Sequence, residues 1–486
     1  MRTVGNPLIL AAAAFVMAPM LSVVAATASS AEPGAIEPQI RPGLVLASDG
    51  QVYRWLPQVT TVGGSDEPSC LPVAINNAQA LGGRAITQLF DGGYVATSDG
   101  EVFSTDLDSS CSPRVEAVDM PEVMAGKEIS HFRTEDGVTG RSNALTADGL
   151  FYSWTYLVSD AVLVNDLGAL KGKKIGRIEE VYDDLGLALT TDGELVRWQF
   201  SLESTSPDVE AVDAFAGAKI ERIDMGGGDQ PYAITSDGRL FALVQTDDPK
   251  AGYFESRVWK EISGALDGKK VVSVSAAEAA AYALTSDGMV FDLHADPAQP
   301  HYWEDGAWIP TAVGGALEGR RIVGVEVSGG SRYAIAADGT VYAWGLNEFG
   351  QLGDGTRTDS DTPVAVKTEG TPLSGKKVVR VVAADGQSDA NAYALASDGS
   401  AYAWGSNGNG ELGDGTKQSS SVPVQVKIGA DGSDSASPAG DGSSASTGDG
   451  GLSFPVIVAI VGGGVAVLAG AACVVVLRLR GRARRR

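Results

Sequence analysis

The stretch YALASDGSAYAW, Tyr393 to Trp404, sets the pair Asp398-Gly399 between two runs that alternate small and large apolar residues. Asp-Gly between alternating runs is the strongest short-range hairpin signal, because a tight hairpin turn demands positive φ, which Asp tolerates and Gly accepts freely. Working outward, the same unit recurs as LVLASDGQVYRW, YVATSDGEVFST, ALTADGLFYSW, LALTTDGELVRW, YAITSDGRLFAL, YALTSDGMVFDL and YAIAADGTVYAW. With Asp398, the turn aspartates are Asp49, Asp99, Asp148, Asp192, Asp237, Asp287 and Asp338, spaced by 44 to 60 residues. Eight hairpins are therefore predicted, and turn chemistry alone accounts for the repeated acid.

A second element precedes seven of the hairpins: Gly83-Arg-Ala-Ile, Gly126-Lys-Glu-Ile, Gly172-Lys-Lys-Ile, Gly217-Ala-Lys-Ile, Gly268-Lys-Lys-Val, Gly319-Arg-Arg-Ile and Gly375-Lys-Lys-Val. Two places before each Gly stands a bulky apolar residue: Leu81, Met124, Leu170, Phe215, Leu266, Leu317 and Leu373. Alternation continues after it, so a third strand leads into each hairpin. A fourth is visible at Pro363 to Val366 and Pro423 to Val426, where Pro suits an edge strand that needs no N–H. Four antiparallel strands per repeat of about 50 residues predict an all-β fold, a β-propeller, and the period of two excludes a solenoid of helix pairs.

Tyr393 to Thr416, with Trp404-Gly405, Asn407 and Gly410-Glu411-Leu412-Gly413, closely resembles the regulator of chromosome condensation repeat, and Tyr333 to Thr356 resembles it equally. Copies one to six keep the hairpin but lose the Trp-Gly and Asn-x-x-Gly-x-Leu-Gly signatures. The resemblance implies a seven-bladed propeller over about Leu44 to Ile428. The first hairpin either opens an eighth blade or adds to a ring of seven. Members of that family commonly act as interaction platforms, and the best known one promotes nucleotide exchange on a small GTPase while docking on chromatin.

The ends of the chain predict where it resides. Arg2, an apolar run from Leu8 to Val24 and small residues to Ala31 read as a signal peptide over 1–31, ahead of a propeller ectodomain over 32–428. Residues 429–451 are almost wholly Gly, Ser, Ala and Asp, a flexible linker. Leu452 to Leu477 is 26 residues without a charge, long enough to span a bilayer as one transmembrane helix. Six arginines in the tail 478–486 place that end in the cytoplasm and the propeller outside the cell membrane. Gly462, Ala466 and Gly470 put small residues on one stripe, where a second copy could pack as a weak dimer. The Ala/Gly-rich usage points to a Gram-positive bacterium of the actinomycete type.

Charge narrows the partners. Acids outnumber bases 61 to 37, and seven of the bases lie in the two ends, so the body would repel a phosphate backbone and nucleic acid is not expected. Eleven of the remaining bases occupy equivalent places in successive repeats: Arg84, Lys127, Lys173, Lys174, Lys219, Lys269, Lys270, Arg320, Arg321, Lys376 and Lys377. They form a basic rim suited to an anionic extracellular partner, a protein or a wall polymer; the alternative is that they blunt strand ends against edge pairing.

Three Cys and three His leave almost nothing for a metal site, and no cofactor is expected. Cys70 and Cys111 precede comparable segments in successive repeats and are expected to bridge in an exported protein. Cys473 falls in the membrane span. His131, His294 and His301 stand near no nucleophile motif, and no phosphate loop or zinc-protease helix occurs, so no catalytic residue is assigned. His294 and His301, with Tyr302, Trp303, Asp305 and Trp308, make an aromatic-rich loop suited either to recognition or to filling space. The sequence thus favours a non-enzymatic binding module. A lyase or hydrolase of an extracellular polymer, working at the propeller mouth, is the alternative.

Overall fold

Each Asp-Gly unit folds as the middle hairpin of a four-stranded antiparallel sheet, and there are eight such sheets in chain order. In the computed structural model the blades run over residues 39–74, 86–117, 129–163, 175–211, 220–262, 271–312, 322–365 and 378–425. The structure describes residues 39–428 except 42–43, 48–50, 56–71, 77–78, 108–111, 135–140, 156–157, 183–184, 201–206, 227–229, 246–256, 278–279, 294–307, 329 and 385–389; it also describes 459–461 and 464–466. The signal peptide, Asp49, the three cysteines, His294, His301, Tyr302, Trp303, Asp305, the linker and the basic tail lie outside these residues.

Eight blades correct the seven that the family resemblance implies. The strand Gln39–Arg41 leads into the first hairpin and completes blade 1 with Leu44–Leu46, Val52–Arg54 and Val73–Ala74. Its sequence lacks the marker glycine, one or two bases and apolar residue of the other seven, so nothing in the pattern announced it.

The core is not one cluster but eight, one between each pair of neighbouring blades. The last joins Val382, Tyr393, Leu395 and Ala403 of blade 8 to Ile40, Val45, Tyr53 and Trp55 of blade 1, which closes the ring. Alternation explains the division of labour. In the second strands of blades 5 to 8, Tyr232, Tyr282, Tyr333 and Tyr393 pack toward the following blade, while Ala233, Ala283, Ala334 and Ala394 face the preceding one. Large meets small at every such interface, as sheets stacked about an axis require. The apolar residues before each Gly marker, Leu81 through Leu373, are all buried, carried by tight turns ahead of each innermost strand.

Polar staples join the innermost strands. Gln39 accepts from the Leu89 N–H at 3.0 Å, Asp224 from Val274 at 3.2 Å and Ser275 from Val327 at 3.0 Å, and the Ser328 hydroxyl donates to the Ala384 carbonyl at 2.9 Å.

The hairpin turn uses the positive φ expected of it at Gly alone. Among the described turns only Gly takes positive φ, for example 86° at Gly100 and 90° at Gly339, while the aspartates do not. The Gly100 N–H donates to the Thr97 carbonyl at 2.9 Å and the Thr97 N–H to the Glu101 carbonyl at 2.9 Å. This is a turn followed by a left-handed glycine, the three-residue hairpin loop. Asp holds its place by accepting hydrogen bonds: Thr97 donates to Asp99 at 2.6 Å, Thr146 to Asp148 at 2.5 Å and Thr190 to Asp192 at 2.5 Å.

Of the C-terminal apolar segment only Ala459–Val461 and Gly464–Ala466 are described, and these pair as two short antiparallel strands. Among the described residues no helix is long and apolar enough to cross a membrane.

Candidate functional site

The repeated bases divide by position into two sets with different surroundings. Those directly after the marker glycine fold back on the hairpin of their own blade. Arg84 meets Asp99 at 3.0 Å and Glu101 at 3.2 Å, Lys269 meets Asp287 at 2.8 Å, Arg320 meets Asp338 at 3.8 Å and Lys376 meets Asp398 at 2.6 Å. Lys173 instead pairs with Glu194. Blade 5 has Ala218 there, and Arg239 supplies the cation to Asp237 at 3.0 Å. Lys127 makes no ion pair among the described residues.

These contacts hold the turn acids ionised. The Lys269 ammonium and the Thr285 hydroxyl lower Asp287 to about 2, and Lys376 with Ser400 lowers Asp398 to about 2. Asp99, Asp192 and Asp237 are lowered chiefly by the hydroxyl two residues before them, and Asp338 chiefly by the Thr340 N–H.

The second set stands one residue further on: Lys174, Lys219, Lys270, Arg321 and Lys377, in the adjacent blades 4 to 8. All five are exposed. Only Lys270 has an ion-pair partner among the described residues, Glu221 at 3.6 Å. Their stems lie across the turn glycine of the preceding blade. A Cβ on Gly238 would stand 2.6 Å from the Lys270 Cα, and one on Gly339 would stand 2.5 Å from the Lys377 Cγ. Backbone bonds fix the same approach, Val271 N–H to Gly238 at 3.0 Å and Ile322 N–H to Gly288 at 3.0 Å. The fold therefore sets five cationic heads in an arc on one edge, each locked by its stem to a blade boundary. Blades 6 to 8 contribute six of the repeated bases there and three turn aspartates.

A second polar group lies along the innermost strands of blades 3 to 5. Glu180, whose side chain is 2 % exposed, sits 3.3 Å from Arg133 and 3.7 Å from His131. Arg177 bridges Glu179 at 2.6 Å and Asp224 at 3.3 Å, and Arg222 meets Asp224 at 2.7 Å. Burial raises Glu179 above the usual carboxylate range despite Arg177. These charges neutralise one another across blade boundaries. Sequence reading passed over them because the pairs that cross blades, Glu180 with Arg133 and Arg177 with Asp224, meet only when the strands stand side by side. It placed His131 near no chemistry; its neighbour is the structural Glu180.

The signature loops of blades 7 and 8 are built around one buried Asn each. Asn347 accepts from the Leu352 N–H at 2.9 Å and donates to the Thr358 carbonyl at 3.1 Å; Asn407 accepts from Leu412 at 2.8 Å and donates to Gln418 at 3.1 Å. The loop carbonyl of Gln351 receives the Tyr333 hydroxyl and, from the next blade, the Trp404 indole N–H, both at 2.8 Å. The family model described as the regulator of chromosome condensation (RCC1) repeat matches residues 338–388 and 398–436, which contain these loops. These two segments are RCC1 repeats.

The chain is 29% identical to human E3 ubiquitin-protein ligase HERC2 over 209 residues, 42% of this chain and 4% of that protein. It is 33% identical to the Arabidopsis thaliana ultraviolet-B receptor UVR8 over 113 residues, 23% of this chain and 24% of the receptor. The chain thus spans a small part of the curated relatives it matches. Among solved structures, human WBSCR16 aligns over 65% of this chain and 84% of its own, at 17% identity and a TM-score of 0.46. Prp20p from Saccharomyces cerevisiae, described with its binding to Gsp1p and histones, aligns over 66% and 81%, at 18% identity and a TM-score of 0.44.

Proposed function

We propose that this RCC1 propeller is a non-enzymatic binding module, tethered to the outer face of a cell membrane, that engages an acidic protein surface through the arc Lys174, Lys219, Lys270, Arg321 and Lys377. The arc carries the proposal. Four of its five heads are exposed without an ion-pair partner among the described residues, in a chain of formal charge −24, so they give an acidic body one edge of opposite sign. Such an edge steers an anionic partner and fixes its orientation more than it adds affinity.

Tethering rests on the 26 uncharged residues 452–477 and the six arginines behind them. In hydrocarbon every backbone polar group must be satisfied within the segment, which a two-stranded hairpin cannot do, so the segment converts to a helix on insertion. Residues 1–31 supply export.

The test is capture from surface extracts by the full chain in detergent, at low and at high salt, beside the variant carrying K174E, K219E, K270E, R321E and K377E. Loss of salt-sensitive protein capture in the variant, with unchanged melting, supports the reading. Equal capture by both proteins overturns it, and capture of a wall polymer alone replaces the protein partner. Added protease should remove the propeller from intact cells, and its survival would refute the exposed placement.

A further inference from the structure

At the boundaries of blades 7 with 8 and 8 with 1, a signature-loop carbonyl collects two donors from the facing blades. Gln351 receives the Tyr333 hydroxyl and the Trp404 indole, and Glu411 receives the Tyr393 hydroxyl and the Trp55 indole, at 2.8 to 2.9 Å. Position for position, blade 3 has Asn143 where those second strands have Tyr, and blade 4 has Trp198 where those third strands have Trp. Residues 346–359 separate the third and outer strands of blade 7, whereas only 156–157 separate Phe151–Thr155 from Val158–Leu163 in blade 3. A link that short cannot carry the Asn-x-x-Gly-x-Leu-Gly signature. Trp198 is fully buried, its ring 5.4 Å from that of Phe151, and its indole N–H meets no acceptor. Asn143 is 2 % exposed, and its Oδ1 meets no donor.

The innermost strands of the same two blades repeat the pattern. His131 Nε2 on blade 3 and the buried Glu180 Oε1 on blade 4 stand 3.7 Å apart, too far for a hydrogen bond, and neither atom has a hydrogen-bond partner. The strands that carry them, Ile129–Thr134 and Ile175–Tyr182, approach each other less than the innermost strands do at any boundary from blades 4 with 5 through blades 7 with 8. Apolar packing holds the two blades together: Leu145 and Phe151 of blade 3 meet Ala188, Val196 and Trp198 of blade 4. A buried polar atom left unmet costs its desolvation in the closed ring and recovers it when the boundary parts and water enters, whereas a met pair loses its bond on parting. Separation is therefore less unfavourable here than between blades 7 and 8, where the equivalent Tyr and Trp are satisfied.

We infer that the boundary of blades 3 and 4 is the seam at which the propeller ring opens, a conformational device built into the fold. All five residues of the basic arc lie on the blade 4 side of this seam, with Lys174 at its edge, where its stem crosses Gly149 of blade 3. Opening keeps the arc on one body and releases only the Lys174 stem. The inference does not depend on what the arc binds.

The experiment introduces one cysteine at a time into the full chain in detergent, A188C at this boundary and A394C between blades 7 and 8. Both alanines are fully buried and face the preceding blade. Alkylation by iodoacetamide under native conditions, read by mass spectrometry at the substituted position, is expected to run at least about tenfold faster at 188 than at 394, the scale of one unmet buried group. Adding N143L, which removes an unmet acceptor and keeps the bulk, should slow alkylation at 188. A second measurement needs no cysteine. W198F and W404F remove the same ring volume, but only Trp404 gives up a hydrogen bond, so W198F should lower the melting midpoint less. Equal alkylation at the two positions in folded variants, or a rate at 188 that N143L leaves unchanged, would overturn the inference. So would a midpoint lowered as far by W198F as by W404F, which would assign a bridging water to the Trp198 indole and a closed seam.

Discussion

The indole N–H of Trp55 donates to the carbonyl of Glu411 at 2.8 Å across 356 positions of sequence, and this bond closes the ring. It repeats, between blades 8 and 1, the bond from Trp404 to Gln351 between blades 7 and 8. Each blade is built from consecutive strands, so no strand is exchanged between the two ends of the propeller. Closure therefore rests on this bond and on the cluster around Trp55, Tyr393 and Leu412. Trp55→Phe keeps most of the packing and loses the donor, while the Tyr393 hydroxyl still satisfies the carbonyl at 2.9 Å. The expected loss is about 1 kcal/mol. Trp55→Ala opens the seam and should lose about 3–5 kcal/mol. Denaturant midpoints of the variants measure both, and a wild-type midpoint for Trp55→Ala would show that the ring does not depend on this contact.

Asn407 is the hub of the last signature loop. Its amide accepts from Leu412 and donates toward Asp414, Thr416 and Gln418, so Asn407→Ala leaves a fully buried backbone N–H without an acceptor. A cost of about 1–3 kcal/mol is expected for that group alone. Asn407→Asp keeps the acceptor but turns a carboxylate toward carbonyls and Asp414. That variant should be less stable at neutral pH than wild type and recover part of the difference in acid, which denaturation at two pH values will measure.

How much of this was legible depends on whether a feature is local. The Asp398-Gly399 pattern and its copies announced every hairpin, because turn and strands lie within a dozen residues. Leu81 to Leu373 announced the buried plugs for the same reason. Blade 1 was half hidden: its hairpin is plain in LVLASDGQVYRW, but Gln39–Arg41 carries no marker, and the tie of Trp55 to Glu411 spans 356 positions that no local pattern links. The pairing of Lys269 with Asp287 joins two motifs of one repeat that the sequence displays separately. Their meeting depends on the register between the first strand and the hairpin, which periodicity does not fix. The basic rim consequently read as one group of eleven, whereas the structure divides it into cations pinned to turn acids and cations left at the blade boundaries.

Ala216 is the one non-glycine among the described residues with positive φ, at 52°. It stands between the buried Phe215 and the marker Gly217, where the equivalent Gly82 takes 58°. The left-handed region costs an L-residue roughly 1–2 kcal/mol, which glycine avoids. Part of that gain is offset because glycine also widens the unfolded ensemble. Ala216→Gly should therefore stabilise the propeller by up to about 1 kcal/mol, seen as a higher melting midpoint. A lower midpoint would mean that the Ala216 methyl contributes more than its backbone strain costs.

The turn aspartates predict how stability depends on pH. Asp287 and Asp398 lie at about 2 in the folded protein, and Asp99, Asp192, Asp237 and Asp338 are lowered with them. In the unfolded chain an Asp titrates near about 3.9. A carboxylate whose folded value is depressed contributes stability that is complete above the unfolded value and is lost as pH falls through the folded one. The melting midpoint should thus hold above about pH 4 and fall between about pH 4 and pH 2 as the unfolded chain takes up protons first. These acids are largely exposed, so solvent and salt screening reduce each contribution. The cation-paired share should shrink at high ionic strength. The share from Thr285 and Ser400 should persist, since those hydroxyls carry no charge to screen. Asp287→Asn with Asp398→Asn should flatten the acid limb by lowering the plateau above pH 4 toward the acid value, because Asn stands in for the protonated acid at every pH. An acid limb identical to wild type in that double variant would assign the fall to other carboxylates of the chain.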